Sequence, residues 1–274
     1  MMKLRENNII QELKKRIFLY LKTHAKISLK EVSLMSGFSV KHTQELFVRQ
    51  TGITIGKYIK KCIFSKAIIF LVLTRKSILD ISLEAGFSSQ QSFSRSFRKE
   101  FSLSPMEYRK RGIIESKKIV SEFSSGDKFI YDGELYLPFL KTRATFIRFT
   151  DNVLTPANII TKNKRLQKIK SSLSQTNHIF IVSYLTPIKK ESEKIYINSF
   201  FCSPKETGDK MSIFNGVYYK IKFNGSLDDY ISIGRNIIFY INIPFSLDVV
   251  EEIRKNGNGF DITIFIPKKI PKNR

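Results

Sequence analysis

Apolar and polar positions repeat along the first part of the chain. SLKEVSLMSGFS, from Ser28 to Ser39, returns as SILDISLEAGFS, from Ser77 to Ser88, with Ser, Ser, Leu, Gly, Phe and Ser identical at matching offsets. Further on, Phe47 and Tyr58 correspond to Phe97 and Tyr108, and the offset grows from 49 to 50 because the second copy has one extra residue after its Ser. In each copy Ser28 with Glu31, or Ser77 with Asp80, places a hydroxyl at an N-cap and a carboxylate at the third helical position, where both satisfy free backbone N–H groups. Leu29, Val32 and Leu34, or Ile78, Ile81 and Leu83, supply the apolar side of that helix. Gly37 or Gly86 then provides the positive φ that ends it. Phe38 or Phe87 anchors the turn, and Ser39 or Ser88 caps a second helix. The pattern predicts two helix-turn-helix units. Between them an apolar stretch from Tyr58 to Leu73 reads as one helix of about 16 residues, roughly 24 Å long. Such a strut can hold two second helices about one DNA turn apart, near 34 Å.

The pattern changes after residue 127. Strand-like runs dense in Ile, Tyr and Phe occur at Leu135 to Phe149, Ile179 to Leu185, Lys194 to Phe201, Val217 to Phe223 and Ile262 to Ile266. Helix-like segments lie near Asn158 to Leu173 and, after an S-L-D-D cap at Ser226, near Leu227 to Tyr240. Gly112 to Asp127 is polar, lacks a clean period and reads as a linker. The expected organisation is therefore two domains: an all-α domain over 1–112, a linker over 113–127 and an α+β domain over 128–274.

Composition fits two globular cores. Hydrophobic residues make up 42% of the 274, enough to fold without metal or disulfide, and Cys62 and Cys202 sit in apolar patterns that read as buried thiols. A reducing cytoplasm suits them. Charges interrupt MMKLRENNII, and the greasiest run, Ala67 to Leu73, is far short of the ~18–20 residues of a membrane span, so neither export nor membrane insertion is expected. The net charge is +23, of which 22 basic and 8 acidic side chains put +14 in residues 1–112. That excess points to a polyanionic partner, though a Lys- and Ile-rich composition can also arise from codon bias, so geometry must decide. No HExxH, GxSxG, CxxC or Gly-rich phosphate loop occurs, and His24, His42 and His178 have neither a nucleophile partner nor metal spacing. An enzyme, a cofactor and a metal are not expected.

The second helices carry the candidate chemistry. In the second copy Phe93 and Phe97 mark the buried side, and on a 100° wheel the opposite side carries Gln91, Ser92, Arg95, Arg98 and Lys99. Arg can bond guanine O6/N7 bidentately and Gln adenine N6/N7, while Ser and Lys suit phosphate or sugar oxygens. Gln90 lies at the N-terminal tip, where groove-inserted helices meet bases. Gln91 has a second reading, as the partner of Ser88 in an S-x-x-Q capping box. The first copy is expected to bury Val40, Thr43, Leu46 and Phe47, leaving Lys41, His42, Glu45 and Arg49 outward with Gln44 at the edge. Glu45 can accept from cytosine N4 or pair with Arg49 at i, i+4.

Residues from about Ile9 to Arg109 resemble the DNA-binding domain of the AraC/XylS family, its MarA/SoxS/Rob branch in particular. ILDISLEAGFSSQQSFSRSFRKEFSLSPMEYRK carries that branch's GF-x-SQQ-x-F-x-R-x-F core and its terminal P-x-x-YR. The resemblance implies a bacterial transcription regulator, an activator working with RNA polymerase, that binds an asymmetric double-stranded DNA site as a monomer with its two helices in adjacent major grooves. Carried over by position, the contacts are Gln90, Gln91, Ser92, Ser94 and Arg95 on one helix and Lys41, Gln44 and Glu45 on the other. The branch usually has Trp where Lys41 stands and a base-reading Arg where Glu45 stands.

A DNA-binding domain placed first, followed by strands, helix, strands, helix and a last strand, resembles a Rob-like layout with a GyrI-like effector-binding domain. That resemblance implies a small amphipathic or cationic ligand in an aromatic cleft, with Tyr184, Tyr196 and Tyr219 as lining. The more ordinary reading of those tyrosines is that they simply fill a sheet-on-helix core. The Glu that such domains often carry on the last strand falls on Thr263, and Asp261 lies on the same strand face. The alternative to a ligand-tuned regulator is an architectural or origin-binding DNA protein without a ligand switch.

Overall fold

The computed structural model describes residues 2–115, 118–120, 128–154, 158–188, 193–233, 237, 249–257 and 259–268. The chain divides into two units, one of Met1–Leu71, Ser77–Tyr108 and Lys117–Ser124, the other of Val72–Lys76, Arg109–Ser116 and Ser125–Arg274.

The helical part runs α1 (Met2–Thr23), α2 (Leu29–Ser36), α3 (Val40–Thr51), α4 (Ile55–Leu73), α5 (Ile78–Glu84), α6 (Gln90–Phe101) and α7 (Pro105–Arg111). Both predicted capping boxes form, at Ser28 with Glu31 and at Ser77 with Asp80. Gly37 and Gly86 take the expected left-handed conformation, at φ +74° and +76°. After α5 the chain turns back through Phe87 N–H donating to Ser82 O at 3.0 Å and Gly86 N–H to Leu83 O at 2.9 Å.

Two cores share α4. Ile10, Leu13, Ile17 and Leu21 of α1, at helical spacing, pack with Val32, Leu46 and Phe47 and with Ile55, Tyr58 and Cys62 from the first half of α4. Sequence reading assigned no element to α1, although that spacing was the available signal. In its second half, Phe64 lies 5.6–6.2 Å from Phe87, Phe93, Phe97 and Phe101. Tyr108 of α7 closes this aromatic cluster against Phe97 and Phe101. Burial of each such side chain contributes about 1.5–3 kcal/mol. At 19 residues α4 is longer than its apolar stretch, because Thr54 Oγ1 caps it by accepting from Lys57 N–H at 3.2 Å. It spans roughly 29 Å.

Several expected positions differ. Leu34 is 74% and Leu83 53% exposed, because each follows the buried Val32 or Ile81 by two residues and so lies about 200° round the helix. Leu29 is exposed rather than buried. Val40, expected in the core, is 38% exposed, since as the first residue of α3 it has no preceding turn to cover it. The second helix of the second copy is capped by Ser89, not Ser88: the extra residue falls in the turn, so Ser39 and Ser89 are the equivalent caps.

The second unit holds β1 (Phe129–Leu137), β2 (Leu140–Asn152), α8 (Ile159–Gln175), β3 (His178–Pro187), β4 (Lys194–Ser203), β5 (Asp209–Ile213), β6 (Gly216–Phe223), α9 (Leu227–Ile233), β7 (Val249–Asn256) and β8 (Gly259–Pro267). The expected single run Leu135 to Phe149 is two strands that turn at 138–139. Strands β5 and β7 were not foreseen: β5 is short and polar, and β7 reads VVEEIRKN, with no clean alternation. The part of the expected helix beyond residue 233, apart from 237, lies outside the described residues, as do 116–117 and 121–127 of the expected linker.

The eight strands among the described residues form one antiparallel sheet in the order β1-β6-β8-β7-β3-β4-β2-β5. One face is covered by α8 and α9, whose Ile169, Leu173, Leu227, Tyr230 and Ile231 pack on Ile179, Ile181, Ile253 and Ile264. Among the described residues no helix lies over the other face, yet Val182, Cys202, Val250, Tyr218 and Phe265 are buried there. The topology explains this. Two-residue connections join the edge strand β1 to β2 and the opposite edge strand β5 to β6. Such a link reaches only about 11 Å, so the sheet must curl until its edges approach. Asn215 N–H donates to Leu137 O at 3.0 Å across that junction. Phe214, at φ +67°, drops into the curl with its ring 5.3–5.6 Å from Phe180, Tyr218 and Phe265.

Candidate nucleic-acid interface

Helices α3 and α6 are positioned alike. Each has 12 residues, a Ser N-cap that accepts from the backbone three residues on, and a left-handed residue at its end. In α6 the buried side is Phe93, Phe97 and Phe101, as expected of the first two. Gln90, Gln91, Arg95, Arg98 and Lys99 are exposed, while Ser92 and Ser94 are half-buried. Among the described residues the side chains of Gln90, Gln91, Arg95, Arg98 and Lys99 have no hydrogen-bond or ion-pair partner. Their donors are therefore uncommitted on one face of one helix.

The cap at Ser89 decides the reading of Gln91. Ser89 Oγ accepts from Ser92 N–H at 3.1 Å, so the third helical position is Ser92 and a capping box between Ser88 and Gln91 does not form. The Ser92 hydroxyl donates back to Ser89 O at 2.8 Å. Arg98 and Lys99 also lie in the last turn of α6, where a cation is favoured by the helix dipole without any ligand.

On α3 the exposed positions are Val40, Lys41, His42, Gln44, Glu45, Val48 and Arg49. Arg49 does not pair with Glu45. Its Nη2 donates to Glu6 Oε1 at 3.0 Å, and Gln50 Nε2 donates to Glu6 Oε2 at 3.2 Å, tying α3 to α1. Arg49 thus has a structural role of its own, and Glu45 has no partner among the described residues. His42 rests edge-on against Phe38, 4.8 Å between centroids, as a solvated helix residue.

The five residues expected to line a ligand cleft are not brought together. Strand alternation places Tyr184, Tyr196, Asp261 and Thr263 on the curled open face with Val182, Phe200 and Phe265, whereas Tyr219 joins the helix-covered core. Within the open face, Thr263 aligns through Glu252 with Phe180, and Asp261 through Arg254 with His178. At ~3.4 Å per residue Asp261 is then roughly 20 Å along the strands from Tyr184. Asp261 accepts from Asn256 Nδ2, and Arg148 lies over Tyr196, 4.8 Å from its ring centroid. The carboxylate beside Thr263 is Glu252, a residue that sequence reading missed because β7 was not recognised. It is buried, and Arg254 Nη2 holds it at 2.6 Å.

Burial pushes the thiols of Cys62 and Cys202 up to about 12, so neither is a ready nucleophile. Among the described residues no His/Cys/Asp/Glu group could hold a metal ion, and no helix is long and apolar enough to cross a membrane.

Residues 32–111, which span α2 to α7, match a family model described as a helix-turn-helix domain. The F1 operon positive regulatory protein of Yersinia pestis is 28% identical over 241 residues, covering 85% of this chain and 79% of that protein. The probable transcription factor PqrA of Proteus vulgaris is 34% identical over 107 residues, 39% of this chain and 88% of that protein. The right origin-binding protein of Escherichia coli is 43% identical over 84 residues, 31% of this chain but only 29% of that protein's length. Among solved structures, a transcriptional regulator from Chromobacterium violaceum described by its AraC-type DNA-binding domain aligns at 28% identity and a TM-score of 0.35, over 37% of this chain and 91% of that one.

Proposed function

The chain belongs to the AraC/XylS family of transcription regulators, and from that premise we propose that it reads one duplex as a monomer, with α3 and α6 as the recognition helices of two helix-turn-helix units in consecutive major grooves. The observation that carries this reading is the repeat itself: two equivalent capped helices expose uncommitted polar side chains in a segment of net charge +14. The roughly 29 Å of α4 between the two cores suits one turn of DNA. An activating role is supported by the Yersinia pestis relative, which is named a positive regulator and matches along most of this chain. Activation implies contact with RNA polymerase. The second reading, an architectural or origin-binding role, is favoured by the name of the Escherichia coli relative, matched over 84 residues. Genome-wide binding combined with transcript changes on deletion separates the two.

The helices should contribute unequally, because Gln90, Gln91 and Arg95 keep donors where Lys41 and Glu45 depart from the family. Arg95→Ala is expected to cost about 1–3 kcal/mol on the preferred site and to relax one or two base positions, with a much smaller effect on scrambled duplex. Glu45→Ala should leave affinity unchanged or improve it, since it removes a carboxylate from a face near phosphates. Titrations of both variants on both duplexes, at several salt concentrations, test this. Binding should show one chain per site and a log–log salt slope of about −0.9 per neutralised phosphate. Equal loss on both duplexes for Arg95→Ala would make it a phosphate clamp.

For the second unit we read a GyrI-like domain whose open face is occupied by its own Phe214. A small amphipathic ligand entering there must displace that ring from Phe180, Tyr218 and Phe265. Phe214→Ala should therefore increase binding of an environment-sensitive apolar dye to the full chain. Dye binding indistinguishable from the parent's would leave the open face without a ligand role.

A further inference from the structure

We propose that Val40 is a specificity-determining residue that reads the 5-methyl group of a thymine in the half-site docked by α3. The inference rests on the DNA-binding reading above and goes beyond it in naming a residue and a base.

Val40 is 38% exposed, so burial in the core does not by itself account for an apolar side chain there. Ser39 and Ser89 are equivalent caps, so Val40 is the structural counterpart of Gln90, both at the first helical position. Carried on at the same offset of 50, Lys41 answers Gln91, Gln44 answers Ser94, Glu45 answers Arg95 and Val48 answers Arg98. The face that is wholly polar on α6 thus has valines at two of its positions on α3, 38% and 41% exposed. Valine is a poor helix former and contributes nothing to a cap, so local stability does not favour it at the first helical position. Phe38, just before the cap, is also exposed, at 36%, which makes the tip of α3 apolar.

In the major groove the thymine 5-methyl is the apolar group on the base edges, and apolar side chains are its natural partners. The N-terminal residues of a recognition helix are those that meet base edges. That selects Val40 over Val48, which lies two turns further on, roughly 12 Å along the axis. Gln44, on the same face one turn after Val40, remains available for hydrogen bonds, so the two residues divide apolar from polar reading.

The test uses the full chain and its preferred duplex, chosen by selection from random sequence, in which each thymine is replaced in turn by deoxyuridine. Pairing is preserved and one methyl is lost. One position should weaken binding by about fourfold, the value of burying a single methyl group. In Val40→Ala that penalty should vanish at that position alone, while Val40→Ile and Gln90→Ala should keep it. Val40→Ala lies on the surface and replaces valine by a better helix former, so folding is retained. If every deoxyuridine duplex binds like the parent, or the penalty survives in Val40→Ala, the assignment of Val40 fails while the DNA-binding reading stands. If selection yields no preferred duplex, both fall together.

Discussion

Gly86→Val is expected to destabilise the protein by about 3 kcal/mol or more, whereas Gly37→Val, at the same place in the repeat, should cost only about 1–2 kcal/mol. Both glycines have a positive φ near 75°, which a β-branched residue resists, so a conformational cost is common to the two. Their surroundings differ. A Cβ added at Gly37 meets nothing within 4 Å, but at Gly86 it would stand 2.9 Å from the backbone oxygen of Ala25, closer than real contacts allow. The obstacle is main chain and cannot swing aside, so the turn before α6 must open and the Phe64 cluster with it. Thermal melts of the two variants followed by far-ultraviolet circular dichroism give the comparison. Equal losses would mean that Ala25 does not press on the turn, and a parent-like melt for Gly86→Val would refute the turn geometry itself.

The second large effect lies beneath α8. Arg165 Nη2 donates to both carboxylate oxygens of Glu251 at 2.6 Å, and the Tyr230 hydroxyl donates to the same carboxylate. Burial pushes the Tyr230 hydroxyl well up, and the Glu251 charge adds to this, so it stays protonated and remains a donor. Arg165 Nε is buried without a partner, so the guanidinium depends on Glu251 for its compensation. Glu251→Leu should therefore cost about 3–5 kcal/mol, the usual effect of stranding a buried charge. Replacing the set together, Arg165→Met, Tyr230→Phe and Glu251→Leu, should recover most of that loss, because an apolar cluster of similar volume has no charge to desolvate. Denaturant unfolding followed by hydrogen exchange at β7 amides reads the second unit separately. A single variant as stable as the parent, or a triple variant no better than the single, would show that the pair does not carry this cost.

Much of the helical segment was legible from local chemistry. The two capping boxes, the glycine stops, the buried Phe93 and Phe97 and the polar face of α6 depend on groups a few residues apart, so spacing alone reveals them. The misses there are equally local in origin. Leu34 and Leu83 are expected on the apolar side of their helices, but two-residue spacing from Val32 and Ile81 turns them outward. Ser88 was chosen as the cap over Ser89 because adjacent serines are chemically equivalent until the turn selects one.

In the second unit, strands dense in Ile, Tyr and Phe were visible, but β5 and β7 were not. β7 holds two buried glutamates whose partners are Arg165 on α8 and Arg254 along the strand. In sequence the run VVEEIRKN shows no clean alternation that would mark a strand. The expected cleft failed for a related reason: strand order is set by pairings between distant residues, and it separated Asp261 from Tyr184 and put Tyr219 on the other face.

By itself, then, the sequence determined the two capped helix pairs, the apolar helix between them and the basic face of α6, because each follows from hydrogen bonds and periodicities within about one or two helical turns. Only the tertiary structure decided that Val40 is exposed, that Arg49 bonds Glu6 rather than Glu45, and that Phe214 fills the curl of the sheet. Those outcomes depend on which surfaces meet across tens of residues of chain, and the free energy that selects them comes from burial and pairing that no local pattern contains.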